Sequence, residues 1–426
     1  MLQLVNVGSK SLADYATIAT RGLMDEIRRL AEPLQGKRVV HLSATAFGGG
    51  VAEINYTLIP LMRDAGLDVE WRIIKGADEF FDVTKTIHNA LQGAETGLTE
   101  EQQEVFRRYN ALNAGEFEDE YDYVCVHDPQ PAAMIEHFDG SSARWIWRCH
   151  IDLSTPNPSV LDFLVPSLAR YDAHIYHMRE YVPKHEGLPE AFIWPPAIDP
   201  LNPKNMALSA EDAAYIVDQF GIDVKRPLLT QVSRFDPWKD PLGVIDAYRG
   251  VKEAYPDVQL ALVGSMAHDD PEGWDFYNQT VSYADGDPDI FILSNLNNIG
   301  SVEVNAFQVH SAAVIQKSIR EGFGLTVTEA LWKGRPTVAG RVGGIVAQIH
   351  DGVTGWLVDS PAECAEACKE ILADPAGARE RALRGKEHVR RHFLTPRLLR
   401  DWLALYNRLD GNDTGETALE TAAQAV

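Results

Sequence analysis

Short, continuously apolar runs alternate with amphipathic stretches along almost the whole of this chain, and that alternation constrains its fold more than any other feature. In the first half the runs are KRVVHLSA (37–44), LDVEWRIIKG (67–76), YDYVCVHD (121–128), RWIWRCH (144–150) and AHIYHM (173–178). Between them lie segments such as VAEINYTLIPLMRDAG (51–66) and EEQQEVFRRYNALN (100–113), with apolar residues at helical spacing. Strands without polar alternation are buried on both faces, which is the pattern of a parallel sheet with helices on each side. The second half repeats it with PLLTQVSRF (227–235), VQLALVGS (258–265), DIFILSN (289–295), AAVIQKS (312–318), PTVAGRV (336–342) and GWLVDS (355–360). The rhythm breaks at IWPPAIDPLNPKN (193–205), where closely spaced prolines stop either regular structure.

A chain of 426 residues exceeds what one core ordinarily organises. It is expected to form two α/β, Rossmann-like domains, 1–195 and 205–393, with ligands held at strand carboxyl ends facing a cleft. The stretch LTPRLLRDWLALYNRL (394–409) is expected to pack back on the first domain as a helix, and the small, polar residues 410–426 to be disordered.

Charge narrows the function. There are 62 acidic and 39 basic residues, a net charge of −23 spread along the chain. Nucleic acid and anionic membranes need a positive field, so neither is an expected partner. An acidic protein that binds a phosphorylated ligand must gather cations at one place. No basic leader with an apolar run opens the sequence, and no run of about 18 apolar residues occurs, which points to the cytoplasm. Four cysteines form no disulfide framework; Cys364 and Cys368, four apart on a helical stretch without a second ligand pair nearby, are taken as small apolar residues rather than metal ligands.

Three loops carry the chemistry. In SIREGFGLTVTEALWKG (318–334) a strand ends, the backbone turns through Gly322 and Gly324, and a helix opens near Leu325. Such a turn aims backbone N–H groups, with the helix dipole behind them, at an anion or a hydroxyl oxygen. Glu321 before the helix can accept hydrogen bonds from sugar hydroxyls, and Glu329 one turn in can take a vicinal ribose diol; two solvated carboxylates beside a tight turn are the plainer alternative. In SRFDPWKD (233–240), Arg234 offers a planar fork and Lys239 a point charge, a pair suited to a diphosphate. Against this, the two cations could simply pair with Asp236 and Asp240. The glycine loop FGGGVAE (47–53), with Gly49 and Gly50, fits neither a dinucleotide fingerprint nor a phosphate-loop ATPase, and suits close backbone approach to a bulky ligand. Two further strand ends, VHDPQ (126–130) and RCHID (148–152), place His or Asp where ligands are bound, although His150 could equally be a packed core histidine.

These residues carry a family resemblance. EGFGLTVTEA resembles the signature of retaining GT-B glycosyltransferases of the glycogen-synthase-like clan, two glutamates with seven residues between them. SRFDPWKD is similar to the clan's Arg/Lys diphosphate pair, AFGGGVAE to its glycine loop, and RVGGIVAQIHDGVTGWLV (341–358) to its usual sequel. More narrowly, HLSATAFGGGVAEI, VHDPQPAAMI, WRCHIDLSTPN and QKSIREGFG together resemble the glycosyl-transferring trehalose synthase family and the related trehalose phosphorylases.

The resemblance implies a GT-B fold and front-face transfer of glucose with retention. Catalysis would rest on His150, Asp128, Glu321, Arg234 and Lys239. The donor would be held by Gly49, Gly50, Arg234, Lys239, Gly322, Phe323, Gly324, Leu325, Thr326 and Glu329, with His150 near the sugar's 6-hydroxyl. The acceptor would lie against Asp128, Gln130, Asp152 and Lys317. The substrates implied are UDP- or ADP-glucose and glucose, with α,α-trehalose as product. No cofactor is required, Mg²⁺ is at most a stimulant without a site of its own, and a homodimer is left open. The rivals are a trehalose phosphorylase working with glucose 1-phosphate and phosphate, a GT-B glucosyltransferase with another small acceptor, and a catalytically silent nucleotide-sugar sensor.

Overall fold

The computed structural model describes residues 1–47, 49–266 and 271–412. Gly48 of the glycine loop, and residues 413–426 of the tail expected to be disordered, lie outside them. The chain divides into two compact units, one built from Met1–Ala197 together with the stretch that starts at Thr395, the other from Ile198–Leu394.

The first unit holds strands β1 (Gln3–Leu4), β2 (Arg38–Ser43), β3 (Asp68–Ile73), β4 (Tyr123–His127), β5 (Arg144–Arg148), β6 (Ala173–Tyr176) and β7 (Ala191–Ile193). Their order across the sheet is β1-β3-β2-β4-β5-β6-β7, parallel throughout except for β1, which runs antiparallel to β3. Successive residues of a strand face opposite sides, and here both sides are dry. Val39, Tyr123, Cys125 and Ile146 face one apolar cluster, which includes Leu399 and Trp402, while Val40, Val124, Val126 and Trp147 face another, which includes Phe80 and Phe106. This is why the runs are apolar at every position. β1 and β7 are not apparent from the sequence, since two or three residues are too few to show a period.

The closing helix Thr395–Leu409 belongs to the first unit because its apolar face and its polar ends both find partners there. Leu398, Leu399, Trp402 and Leu403 enter the core. The Arg397 guanidinium donates to the carbonyls of Pro195 and Pro196 at 2.8 and 3.2 Å, and the Asn407 amide donates to Leu30 O at 2.8 Å.

The second unit holds β8 (Leu228–Val232), β9 (Gln259–Val263), β10 (Ile290–Leu293), β11 (Ala313–Gln316), β12 (Thr337–Gly340) and β13 (Trp356–Val358), all parallel, in the order β10-β9-β8-β11-β12-β13. Cys364 and Cys368 are free thiols buried in its core on the helix Pro361–Ala373. Among the parallel strands the chain direction across each sheet reverses once, between β2 and β4 in the first and between β8 and β11 in the second. In doubly wound sheets the crevice at that reversal, outside the strand carboxyl ends, is where ligands bind.

Candidate active site

At the reversal of the second sheet the loops leaving β8 and β11 are tied together. The Ile319 N–H donates to Trp238 O at 2.9 Å, and the Arg320 guanidinium lies 5.3 Å from the centre of the Trp238 ring. Lys239 Nζ donates to Glu321 Oε2 at 2.5 Å, and Ser318 Oγ donates to the same oxygen at 3.2 Å. Arg234 is the outlying cation. Its side chain is 72% exposed, with Nη2 3.3 Å from Asp236 Oδ2. An ion pair that open contributes little stability, so the guanidinium is available to an anionic ligand. Of the local pairings weighed for the two cations, Arg234 with Asp236 is present, whereas Lys239 turns to Glu321 and Asp240 is paired with Lys317.

The backbone around Glu321 depends on glycine. Gly324 has φ +83°, a left-handed conformation that costs any side chain-bearing residue, and it caps the helix Leu325–Trp332. The first N–H groups of that helix, Leu325 and Thr326 among them, have no acceptor within it, as at every helix start. Phe323 is buried against Phe393, and Gln348 Nε2 donates to Phe323 O. The turn is thereby held through the Phe323 ring and carbonyl.

Glu329, expected at a ribose, is 1% exposed, with Lys204 Nζ 3.3 Å from Oε1 and Gln308 Nε2 3.4 Å from Oε2. A buried carboxylate needs compensating charge and hydrogen bonds, and these two supply it. Neither is evident from sequence, because Lys204 lies in the proline-rich connection and Gln308 in the helix Ser301–His310.

In the first unit Asp128, just past β4, has φ +63°, unusual for a residue other than glycine and tolerated by Asp. Its Oδ1 accepts from the His150 N–H at 2.7 Å and its carbonyl accepts from Trp147 Nε1 at 3.0 Å. Burial pushes the Asp128 carboxyl up to about 7, against the opposing pull of the His150 N–H and the Arg148 charge. His150 is half-buried, with Nε2 2.9 Å from His127 Nδ1, and His127 Nε2 is in turn 2.9 Å from His41 Nδ1. His41 was not singled out by sequence. The signal that could have found it is a histidine near the end of successive strand runs, as in HLS, VHD and RCH. Arg148 points into the protein, its guanidinium donating to Trp194 O at 2.8 Å and Tyr176 O at 3.4 Å. Asp152 is buried and accepts from the Ser154 N–H at 2.8 Å; Gln130 is half-buried, with its carbonyl held by Asn110. Gly49 and Gly50 open the helix Gly49–Asp64 at the reversal of the first sheet, Gly49 with φ +74°.

The expected residues therefore fall into two groups. Arg234, Lys239, Glu321, the 322–326 turn and Glu329 belong to the second unit, and His150, Asp128, Gln130, Asp152, Gly49 and Gly50 to the first. Lys317, the fourth residue expected at the acceptor, belongs to the second unit, where it is buried and paired with Asp240. Among the described residues no cluster of three or more His, Cys, Asp or Glu side chains could hold a metal ion, and no helix is long and apolar enough to cross a membrane.

Asp128 gives a prediction of sign. Free aspartate titrates near 4, so between about pH 4 and 7 the folded protein holds a proton there that the unfolded chain has lost. That contribution to stability is fully present below pH 4 and is lost as pH rises through about 7. Asp128→Asn keeps an acceptor for the His150 N–H and cannot ionise. Its melting temperature should gain on wild type from pH 4 to about pH 7 and level off above that, and thermal melts from pH 4 to pH 8 check it; a pH-independent difference would show that burial does not perturb this group.

Two doubly wound sheets, parallel except for β1, form the GT-B architecture of glycosyltransferases. The fold matches the solved structure of an α,α-trehalose-phosphate synthase (UDP-forming) from Burkholderia xenovorans in complex with glucose-6-phosphate at a TM-score of 0.70 and 15% identity, covering 88% of this chain and 100% of that one. Residues 41–183 match the family described as trehalose synthase, N-terminal domain, and residues 214–388 match glycosyl transferases group 1. A trehalose synthase of Rubrobacter xylanophilus is 62% identical over 96% of this chain and 100% of its own length, and one of Pyrococcus horikoshii is 47% identical over 95% and 98%. The chain belongs to the trehalose synthase family.

Proposed function

We propose that the protein transfers glucose, with retention, from a nucleoside-diphospho-glucose to free glucose, forming α,α-trehalose. The observation that carries this reading is the Lys239–Glu321 pair at the reversal of the second sheet, flanked by the exposed Arg234 and a helix start. A diphosphate finds there two cations and backbone N–H groups, and Glu321 and Ser318 supply oxygen partners for sugar hydroxyls. The glucosyl C1–oxygen bond to the diphosphate breaks on the same face on which the acceptor's anomeric oxygen bonds to C1, and the acceptor's proton passes to the departing diphosphate oxygen. Lys239, Arg234 and the N–H groups offset the charge that develops on that oxygen. Glu329 would serve the ribose once its Lys204 and Gln308 contacts give way. The reading needs no resident cofactor and no macromolecular partner, and it is set in the cytoplasm.

The acceptor follows from charge. From Asp128 to Thr155 the cations are Arg144, which begins β5 at the opposite end of the sheet, and Arg148, committed to carbonyls. A sugar phosphate would meet carboxylates there, whereas a free hexose offers only hydroxyls, which Asp128 and Gln130 can bind. Incubation with UDP-, ADP- or GDP-glucose or glucose 1-phosphate, each with glucose or glucose 6-phosphate, followed by NMR of the product, is expected to give a non-reducing, trehalase-sensitive disaccharide from a nucleotide donor and free glucose. Turnover with glucose 1-phosphate alone would indicate the phosphorylase reaction, and exclusive use of glucose 6-phosphate would refute the acceptor.

A further inference from the structure

Four strands adjacent in the first sheet each carry a histidine at or near the carboxyl end: His41 in β2, His127 in β4, His150 just past β5 and His177 just past β6. Three of these are hydrogen-bonded in series, His41 Nδ1 to His127 Nε2 and His127 Nδ1 to His150 Nε2, both at 2.9 Å. Their rings stack at 5.2 Å with interplanar angles of 29° and 17°, and His177 meets His150 edge-on at 5.4 Å. His41 and His127 are fully buried. The series ends in the apolar layer, where the His41 ring stands edge-on to Trp402 and its Nε2 has no hydrogen-bond partner among the described residues.

A hydrogen bond between two ring nitrogens holds one proton, and a neutral imidazole has one to give. His127 therefore donates in one of its two bonds and accepts in the other. If it donates from Nδ1, His150 must keep its proton on Nδ1 and His41 must donate from Nδ1. If it donates from Nε2, all three carry Nε2–H. Any mixture sets N–H against N–H, or lone pair against lone pair, at the ring of His127, which is fully buried. Charging a ring is no escape, since burial holds all three well below the ordinary histidine range, His41 at about 3.

We propose that His127 and, through it, His41 are positioning residues for His150: the series gives the three rings one shared tautomer and so decides whether His150 presents a donor or an acceptor at Nδ1. Its bearing on catalysis rests on the reading that His150 faces the donor sugar. The remote His41 then acts on the reaction without touching a substrate.

The test uses the full chain labelled with ¹⁵N-histidine, with ring nitrogens observed by long-range ¹H–¹⁵N correlation at pH 7. His41, His127 and His150 are expected to be neutral and of the same tautomer; two different tautomers among them, or an imidazolium, would overturn the proposal. In His41→Phe, the His150 signals should move toward a mixture of tautomers and kcat/KM should fall about 10-fold, the low end of the losses known when the hydrogen-bond partner orienting a metal-bound histidine is removed, a comparable loss of tautomer control. Unchanged His150 signals in the folded variant would also overturn it. Should that variant not fold, the wild-type spectrum still decides. Because the spectra need no substrate, a failure to make trehalose would refute the proposed function without touching this result.

Discussion

Lys239→Ala is expected to lower kcat/KM for the nucleotide-sugar reaction by about 100- to 1,000-fold, roughly 3–4 kcal/mol of transition-state stabilisation, the scale of losing one preorganised partner of a developing negative charge. The ammonium sits against Glu321 with little exposure of either side chain. Removing it therefore also leaves a carboxylate short of compensation, with a further loss of about 1–3 kcal/mol of stability. These two effects can be separated. Lys239→Ala/Glu321→Ala removes the stranded charge, so its melting temperature should recover toward wild type while its activity stays low. Recovery of activity along with stability would mean that the pair only braces the loops. Arg234→Ala should lower kcat/KM with almost no change in melting temperature, since its ion pair with Asp236 leaves the guanidinium open to solvent. Steady-state kinetics and thermal melts on the three variants check all of this.

Much of this architecture is legible in the chain because the physics behind it is local. A strand dry on both faces must be apolar at every position, so VVHL, YVCV and LALV announce themselves. A glycine turn opening a helix announces itself as well, and so does a pair of cations five residues apart after a strand. Strand order is not local. That β8 and β11 are neighbours, which puts SRFDPWKD beside SIREGFG, depends on which surfaces pack, and it is this adjacency that joins Lys239 to Glu321. The same adjacency pairs Lys317 with Asp240. His41 is hidden for a related reason. Within KRVVHLSA it is one polar residue in a buried run, and its meaning comes from rings on strands whose places in the sheet no periodicity reveals.

Glycine 340 carries the second large effect. It ends β12, and a Cβ built there would stand 2.1 Å from the backbone oxygen of Ser318, a distance no real Cβ contact shows. That oxygen cannot swing aside as a side-chain tip would, because it belongs to the segment leaving β11, which is paired to β12 and whose Ser318 Oγ donates to Glu321. Gly344 is pressed in the same way, its would-be Cβ lying 2.6 Å from both Gly322 O and Phe323 Cα. The two glycines let the 340–344 backbone lie flush against the back of the turn that presents Glu321 and the helix start. Gly340→Ala must push that turn outward or open the β11–β12 pairing. Overpacking costs typically about 1–3 kcal/mol, and an unyielding backbone neighbour puts this site at the upper end. A displacement near 1 Å at the donor loop can by itself cost about 100-fold in rate. We therefore expect Gly340→Ala to lower the melting temperature by several degrees and kcat/KM by about 100-fold or more. Gly22→Ala provides the control. It lies in the helix Arg21–Ala31 with nothing within 4 Å of its would-be Cβ, so it should match or slightly exceed wild-type stability and keep full activity. Melts and kinetics on the pair decide the matter, and a Gly340→Ala protein as stable and active as the Gly22→Ala control would show that the donor turn does not depend on this contact.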